Sequence, residues 1–154
     1  MAKINNPANQ ALATFSAILP STGATFVTGD GTVYKIIGTS TTINDGGYYS
    51  TTTGAYTVPT TAVYLFVLYY ASSVTMSVTS VKCDIYVGGV STYTPLLFNP
   101  NYLSGSSASY SAMSISAMVP LSLTAGQVLT FYITGSGGSK EMNMAATISG
   151  FLLT

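Results

Sequence analysis

Hydrophobic and polar residues alternate with a period of two along several segments of the chain, a pattern that predicts half-buried β-strands. Every second residue of Val81–Val87 is apolar, and Gly88-Gly89 follows as a tight turn, because glycine reaches positive φ at no steric cost. Met113–Leu121 shows the same alternation, and Ala125-Gly126 then turns the chain into a further strand. No segment has a capped 3.6-residue apolar period. We therefore predict an all-β chain with essentially no helix.

Two of the predicted strands, Ala62–Tyr70 and Val128–Ile133, are apolar on both faces. In an antiparallel sandwich only one face of each strand meets the domain core. The second apolar face therefore predicts an interface with another subunit, and burial of about 2,000 Å² or more is ordinary for an obligate oligomer. The two faces of the longer strand carry, respectively, Tyr64, Phe66 and Leu68, and Val63, Leu65, Val67 and Tyr69.

The small-residue segments between the strands are expected to be solvated loops. On a rigid β scaffold such loops also form ligand-contact surfaces, and loops rich in Tyr, Ser and Gly contact partners without charge. Tyr102 and Tyr110 flank the segment Ser104–Ser109 and are the candidate ligand-contact residues.

Charge is scarce in this sequence. Only 5% of the residues are charged, 47% are hydrophobic, and the four lysines balance the four acidic residues. A neutral chain without arginine is poorly suited to bind nucleic acid. The hydrophobic content argues against disorder, and the most apolar stretch, Ala62–Ala71, is about half the length of a membrane-spanning helix. Such a composition favours a domain that buries apolar surface against copies of itself.

The sequence lacks the residues that most enzymes use. It has no histidine and one cysteine, Cys83, which exclude a typical zinc site and an intrachain disulfide. No Ser-x-x-Lys or Gly-x-Ser-x-Gly pattern occurs, and the glycine cluster at residues 135–140 fails the phosphate-loop pattern. We therefore expect a protein that is not an enzyme.

The segment Asn44–Phe66 reads NDGGYYSTTTGAYTVPTTAVYLF. It resembles the Gly-Gly-aromatic, Thr-Gly-x-aromatic-Thr-x-Pro and Tyr-x-Phe pattern of the C1q-like domain, within the tumour-necrosis-factor-like superfamily. FSA at Phe15–Ala17, LSLTAGQVLTFYI at Leu121–Ile133 and SGFLL at Ser149–Leu153 are similar to further motifs of that family, in the same order. The chain departs from the pattern at Thr60-Thr61-Ala62, where the family usually has Pro-x-x-Gly.

The resemblance implies an antiparallel β-sandwich jelly roll of about ten strands that forms a homotrimer. We assign residues 11–154 to this single domain and residues 1–10 to a short tail or arm. Some relatives bind calcium through several oxygen ligands, but the four acidic residues here are scattered, so we expect no cofactor. The residues implied to form the fold motif are Gly47, Gly54, Tyr56, Pro59, Tyr64, Phe66, Gly150 and Phe151. Those implied to line the threefold axis are Val63, Leu65, Val67, Tyr69 and Ile148.

Two functional hypotheses follow. The N-terminal segment has no secretory signal, and with the low charge this favours a virion protein: a trimeric capsid, spike or fibre-head module. Its expected partners are itself, other capsid or spike proteins and a host-cell surface receptor, with no nucleic acid and no membrane span. The alternative is a bacterial or extracellular C1q-like adhesin, secreted or on the cell surface, that binds protein or glycan.

Overall fold

The computed structural model describes residues 14–19, 26–72, 79–98, 113–137 and 142–153. Within these ranges twelve strands form two six-stranded sheets, and every strand pair is antiparallel. The strands are β1 Phe15–Leu19, β2 Phe26–Val27, β3 Asp30–Ile36, β4 Ser40–Asn44, β5 Tyr49–Ser50, β6 Ala55–Thr57, β7 Ala62–Ser72, β8 Ser80–Val87, β9 Val90–Phe98, β10 Met113–Leu123, β11 Val128–Ser136 and β12 Met142–Leu153.

The first sheet has the order β10-β7-β12-β1-β4, and β2 pairs with β12. The second sheet has the order β5-β6-β11-β8-β9, and β3 pairs with β11. Strands that are distant in the sequence are therefore neighbours in each sheet, as expected for a jelly roll. Among the described residues no α-helix occurs, and a 3-10 turn lies at Asp45–Gly47. The all-β chain predicted from the alternating pattern and the antiparallel sandwich implied by the resemblance are both confirmed, with twelve described strands where about ten were expected.

The core lies between the two sheets and is built around aromatic rings. Phe15 of β1 stacks on Tyr49 and Tyr56, with ring centroids 5.0 Å and 4.6 Å away. Phe66 of β7 and Phe131 of β11 close the cluster from opposite sheets, 5.9 Å apart. All five side chains are at most 2% exposed. Aromatic contacts of this kind add to the stability gained from buried area alone.

The Asn-Asp-Gly-Gly-aromatic segment has a structural role at the beginning of β5. The amide of Asn44 donates to the Tyr49 carbonyl (2.9 Å), and its oxygen accepts the Tyr49 N–H (3.0 Å). One side chain thus holds both backbone groups of the residue that begins β5. The Tyr49 hydroxyl in turn accepts the N–H of Gly38 at 2.8 Å. The motif joins the two sheets at one end of the sandwich.

Three aromatic residues of the fold motif and Pro59 lie on β6, on β7 and in the connection between these strands. Tyr56, Tyr64 and Phe66 are fully buried, and the Tyr64 hydroxyl donates to the Thr60 carbonyl at 2.8 Å. That hydrogen bond anchors the turn where the sequence departs from the family pattern. Pro59 is partly buried just before β7.

The position of Gly54 accepts no side chain. Its φ is +66°, and an added Cβ would lie 2.7 Å from the Ile36 carbonyl oxygen. Gly47 also has a positive φ of 70°, but it lies in an exposed turn and belongs to no core.

The expectation for Phe151 was wrong. Its side chain is 38% exposed, because it points away from the core on β12. The neighbouring Gly150 takes the inward position and is buried. Successive residues of a strand point to opposite faces, so Gly150 and Phe151 cannot both belong to the core.

Candidate assembly surface

The central strand β7 lies between β10 and β12 in the first sheet and has apolar residues on both faces. Its inward residues, including Tyr64 and Phe66, are fully buried. Its outward residues form a line across the middle of the outer face. Val63 and Tyr69 are 42% and 43% exposed, and Leu65 and Val67 are half-buried. The two-sided strand predicted from the sequence is therefore present, and none of the described residues covers its second face.

Neighbouring strands extend this apolar line to both sides. Leu65 is paired with Pro120 of β10 and with Phe151 of β12, and Val67 is paired with Met118. Directly paired residues of antiparallel strands share a face, so all five point outward together. Met118 is a large apolar side chain and is 71% exposed. At one end of the strand Val63 is paired with Leu153, which is 39% exposed.

The outer face of the first sheet is uncharged. Among the described residues, the outward positions of β1, β7, β10 and β12 hold no Asp, Glu or Lys. Its polar side chains are mainly serine and threonine. The Ser149 hydroxyl donates to the Ser16 hydroxyl at 3.1 Å, and this pair joins β12 to β1. A surface of this composition loses little hydration when it is covered, because it has no ion to desolvate.

Ile148 does not belong to this surface, contrary to the expectation. It is 1% exposed and is paired with Leu68, which is fully buried on the inner side of β7. The side-chain alternation of β12 puts Thr147 and Ser149 outward instead. Ile148 is a core residue of the single protomer.

The sequence reasoning missed Met118, Phe151 and Leu153. Met118 was hidden because the alternation in Met113–Leu121 assigned only the odd-numbered positions to an apolar face. The apolar residue at the even-numbered position 118 was the available signal of a second apolar face. The candidate ligand-contact residues Tyr102 and Tyr110 lie outside the described residues.

Two ionisable side chains outside this surface, Cys83 and Tyr70, are buried in the core. Cys83 is fully buried, and burial raises the pKa of its thiol to about 12. Burial likewise raises the pKa of Tyr70, which lies beside it, well above the ordinary value. Within the described ranges no three His, Cys, Asp or Glu side chains come together as a metal site would need. No helix in that part of the chain is long and apolar enough to cross a membrane.

Three solved structures resemble the chain over nearly its whole length. The globular domain of zebrafish complement 1qA is 17% identical with a TM-score of 0.64, and the alignment covers 92% of this chain and 98% of that one. The Eiger TNF of S. frugiperda is 14% identical with a TM-score of 0.61, covering 94% of both chains. The PRD1 vertex protein P5 is 12% identical with a TM-score of 0.63, covering 93% of this chain and 99% of that one.

At the level of sequence, no family model matches the chain, and the comparison with curated proteins finds no match. The likeness is therefore one of fold, and it agrees with the motifs at Asn44–Phe66 and Ser149–Leu153. The chain has the jelly-roll fold that the C1q globular domain shares with tumour-necrosis-factor-type proteins.

Proposed function

We propose that this chain is a non-enzymatic module that assembles as a homotrimer through the outer face of the first sheet. The observation that carries the proposal is the uncharged apolar surface around Leu65 and Val67, which no described part of the chain covers. Monomeric soluble proteins rarely leave contiguous apolar patches of this kind exposed. The threefold arrangement follows the resemblance to the C1q-like family.

A second copy of the chain is the occupant that fits this surface best. The chain has a net charge of zero and only 5% charged residues, so little repulsion opposes self-association. The outer face offers apolar side chains together with hydroxyl groups, and it offers no charge to a charged partner. Interfaces of obligate oligomers have this apolar composition, like a domain core cut in half.

In its biological setting we propose a structural protein of a virion, such as a capsid, spike or fibre-head protein, with a host-cell receptor as ligand. The fold likeness to the PRD1 vertex protein P5 supports this proposal, because that protein is named for its place at a vertex. The scarcity of charge supports it as well. Detection of the chain on purified particles, by mass spectrometry and by density in electron microscopy, tests the proposal, and its absence from particles would contradict it.

The likeness to the zebrafish complement 1qA domain favours an alternative, a secreted or cell-surface recognition head that binds protein or glycan. Both settings use the same trimeric module. The distinction therefore lies in where the protein is found, which the particle experiment decides.

The oligomeric state is tested by light scattering on the purified chain. The expected mass is three times 15.9 kDa, and we expect it to be unchanged by a chelator, because the described residues hold no group of three His, Cys, Asp or Glu side chains that could bind a metal. Val67→Asp and Leu65→Asp should each yield folded monomer. A charge that is buried without a partner costs about 3–5 kcal/mol, and a threefold axis brings three such charges together.

Val90→Asp is the matched control for Val67→Asp. Val90 is 67% exposed in the hairpin between β8 and β9, away from the outer face of the first sheet. This variant introduces the same charge in place of the same side chain and should remain trimeric. Circular dichroism on all three variants confirms that the fold is retained. A monomeric parent chain, or trimers in both Leu65→Asp and Val67→Asp, would overturn the proposed interface.

A further inference from the structure

The outer face of the second sheet carries a pair of tyrosines in direct contact. The rings of Tyr86 on β8 and Tyr132 on β11 are 4.2 Å apart between centroids, at an interplanar angle of 38°. Their strands are adjacent, and Tyr132 is paired with Asp84 while Tyr86 is paired with Thr130. The tyrosines are thus diagonal neighbours on one face, and both remain partly exposed. They form a joined aromatic surface on the side of the sandwich opposite to the proposed interface.

Asp84 lies beneath this surface and organises the polar groups around it. It points outward from β8 with Lys82 and Tyr86, yet its side chain is only 3% exposed. The Thr94 hydroxyl donates to its Oδ1 at 2.6 Å, and the Lys82 ammonium contacts its Oδ2 at 2.9 Å. Charge-assisted hydrogen bonds of this length are among the stronger ones in proteins.

The two partners of Asp84 are held in place and keep bonding capacity for a ligand. The Lys82 side chain is 42% exposed, and an ammonium group has three donors, of which Asp84 engages one. Thr94 gives its hydrogen to Asp84, so its oxygen lone pairs stay available as acceptors. Such groups need not be ordered again when a ligand arrives, which lowers the entropy cost of binding.

Lys35 adds an uncompensated positive charge beside the rings. It is paired directly with Tyr132 across β3 and β11. Among the described residues Lys82 forms an ion pair with Asp84, and no acidic side chain pairs with Lys35. The other acid on this sheet, Asp30, lies five residues along β3, about 16 Å away in an extended strand. Its carboxylate already accepts from Thr28 and Thr32.

We propose that this surface of Tyr86, Tyr132, Lys35, Lys82 and Thr94 binds a carbohydrate chain that carries a carboxylate. A sugar ring lies against the outer face of one ring of the tilted tyrosine pair, because its C–H groups are attracted to the negative face of an aromatic ring. Lys35 receives the carboxylate, and Lys82 and Thr94 bind sugar hydroxyl groups as donor and acceptor. The surface has a single unpaired cation in an otherwise neutral setting, which selects an acidic glycan over a polyanion.

The inference gives the proposed recognition role a ligand class and rests on it for its biological meaning. The site itself lies within one protomer and does not need assembly. In the proposed trimer it faces away from the interface, since it is on the other sheet. Three copies on one particle would bind a glycosylated surface with higher avidity than a single site.

The test is a titration followed by NMR, with 3′-sialyllactose as the acidic probe and lactose as its neutral counterpart. The expected Kd for sialyllactose is about 1 mM or lower, with lactose binding about tenfold more weakly because Lys35 then lacks its anion. Lys35→Gln should reduce the affinity for sialyllactose about tenfold and leave the affinity for lactose unchanged. Raising the salt concentration should weaken sialyllactose binding alone.

Thr42→Glu is the control for net charge, since it gives the same change of −1 as Lys35→Gln but lies on an exposed position of the first sheet. It should bind sialyllactose as the parent chain does. Tyr86→Leu retains apolar bulk, removes the ring and should abolish binding of both sugars. If that variant misfolds, the binding of the two sugars by Lys35→Gln alone decides whether the inference holds.

Failure to bind sialyllactose at about 10 mM, ten times the expected Kd, would overturn this inference, as would binding that is equal in Lys35→Gln and the parent chain. The mass of the same samples is measured by light scattering. A trimer that does not bind leaves the proposed assembly standing, and a monomer that binds overturns the assembly alone.

Discussion

Gly150 is a position where the packing of the aromatic core depends directly on the absence of a side chain. It is paired with Phe15 of β1 on one side and with Phe66 of β7 on the other. A Cβ added at Gly150 would lie 2.5 Å from Cε1 of Phe15 and 3.1 Å from Cε1 of Phe66. The Phe15 ring cannot move aside freely, because it is stacked on Tyr49 and Tyr56. Gly150→Ala therefore forces a shift in the centre of the aromatic cluster.

The magnitude follows from two opposing effects. Overpacking a closely packed core costs about 1–3 kcal/mol. Replacing glycine by alanine also restricts the unfolded chain, which returns about 0.4–1 kcal/mol when the backbone conformation suits alanine. Gly150 is outside the left-handed region, so its backbone adds no strain. We expect a net loss of about 1–2 kcal/mol, equivalent to a Tm lower by about 2–8 °C for a chain of this length.

Urea unfolding at a fixed protein concentration measures this loss, since the stability of an oligomer depends on concentration. The sharper measurement is a double-mutant cycle with Phe15→Leu. The smaller side chain removes the ring atoms that the new methyl group would meet, so Gly150→Ala should cost at least about 0.5 kcal/mol less in that background. An equal cost in both backgrounds, or a Gly150→Ala variant as stable as the parent chain, would refute the reasoning.

Two further predictions concern ionisable groups. Because burial raises the pKa of Cys83 to about 12, a thiol-specific disulfide reagent at about pH 8 should leave the native protein unlabelled and should react only as urea unfolds the chain; rapid labelling of native protein would contradict this. Hydrogen bonds from the Thr28 hydroxyl and from Thr32 lower the pKa of Asp30 from 3.8 to about 2. The stabilisation from this carboxylate is therefore present above pH 3.8 and is lost as the pH falls towards 2. Urea unfolding should show that the stability advantage of the parent chain over Asp30→Asn shrinks across that window. A stability difference that stays constant with pH would disprove the prediction.

The fold could be predicted because its determinants are local and repeated. The alternation in β8 is readable in the sequence, and Cys83 and Ile85 are fully buried as that pattern requires. In β7, which is apolar on both faces, the resemblance to the family motif assigned Tyr64 and Phe66 to the core, and both are fully buried. The motif around Asn44 also pointed to the fold, but the sequence did not show which contacts the motif makes. The side-chain bridge from Asn44 to both backbone groups of Tyr49 depends on a turn geometry that spacing alone does not specify.

The closing strand β12 could not be read correctly, for a physical reason. Its segment SGFLL has apolar side chains at three successive positions, so the alternation that assigns faces is lost. The inward position is taken by Gly150, whose missing side chain makes room for the Phe15 ring. Phe151 is consequently outward and Ile148 inward, the reverse of the expectation. Only the register with β7 resolves the assignment.

Asp84 marks a second limit of sequence reasoning. The alternation in β8 correctly put Lys82, Asp84 and Tyr86 on the outward face. It could not show that an outward carboxylate would be 3% exposed, because that burial depends on Thr94 and on neighbouring side chains from other strands. Burying a charge is tolerated only where it is paired and hydrogen-bonded, as it is here.

The two outer faces of the sandwich differ in charge and in the side chains that they expose, and this difference favours different roles for them. The outer face of the first sheet has no charge among its described residues and exposes Val63, Tyr69 and Met118. The outer face of the second sheet holds both lysines of the described residues and a pair of contacting tyrosines. Desolvating an unpaired lysine would oppose burial in an obligate interface, whereas a neutral apolar face gains from it. We therefore propose that the first sheet is the side that is covered on assembly and that the second is the side that meets a ligand.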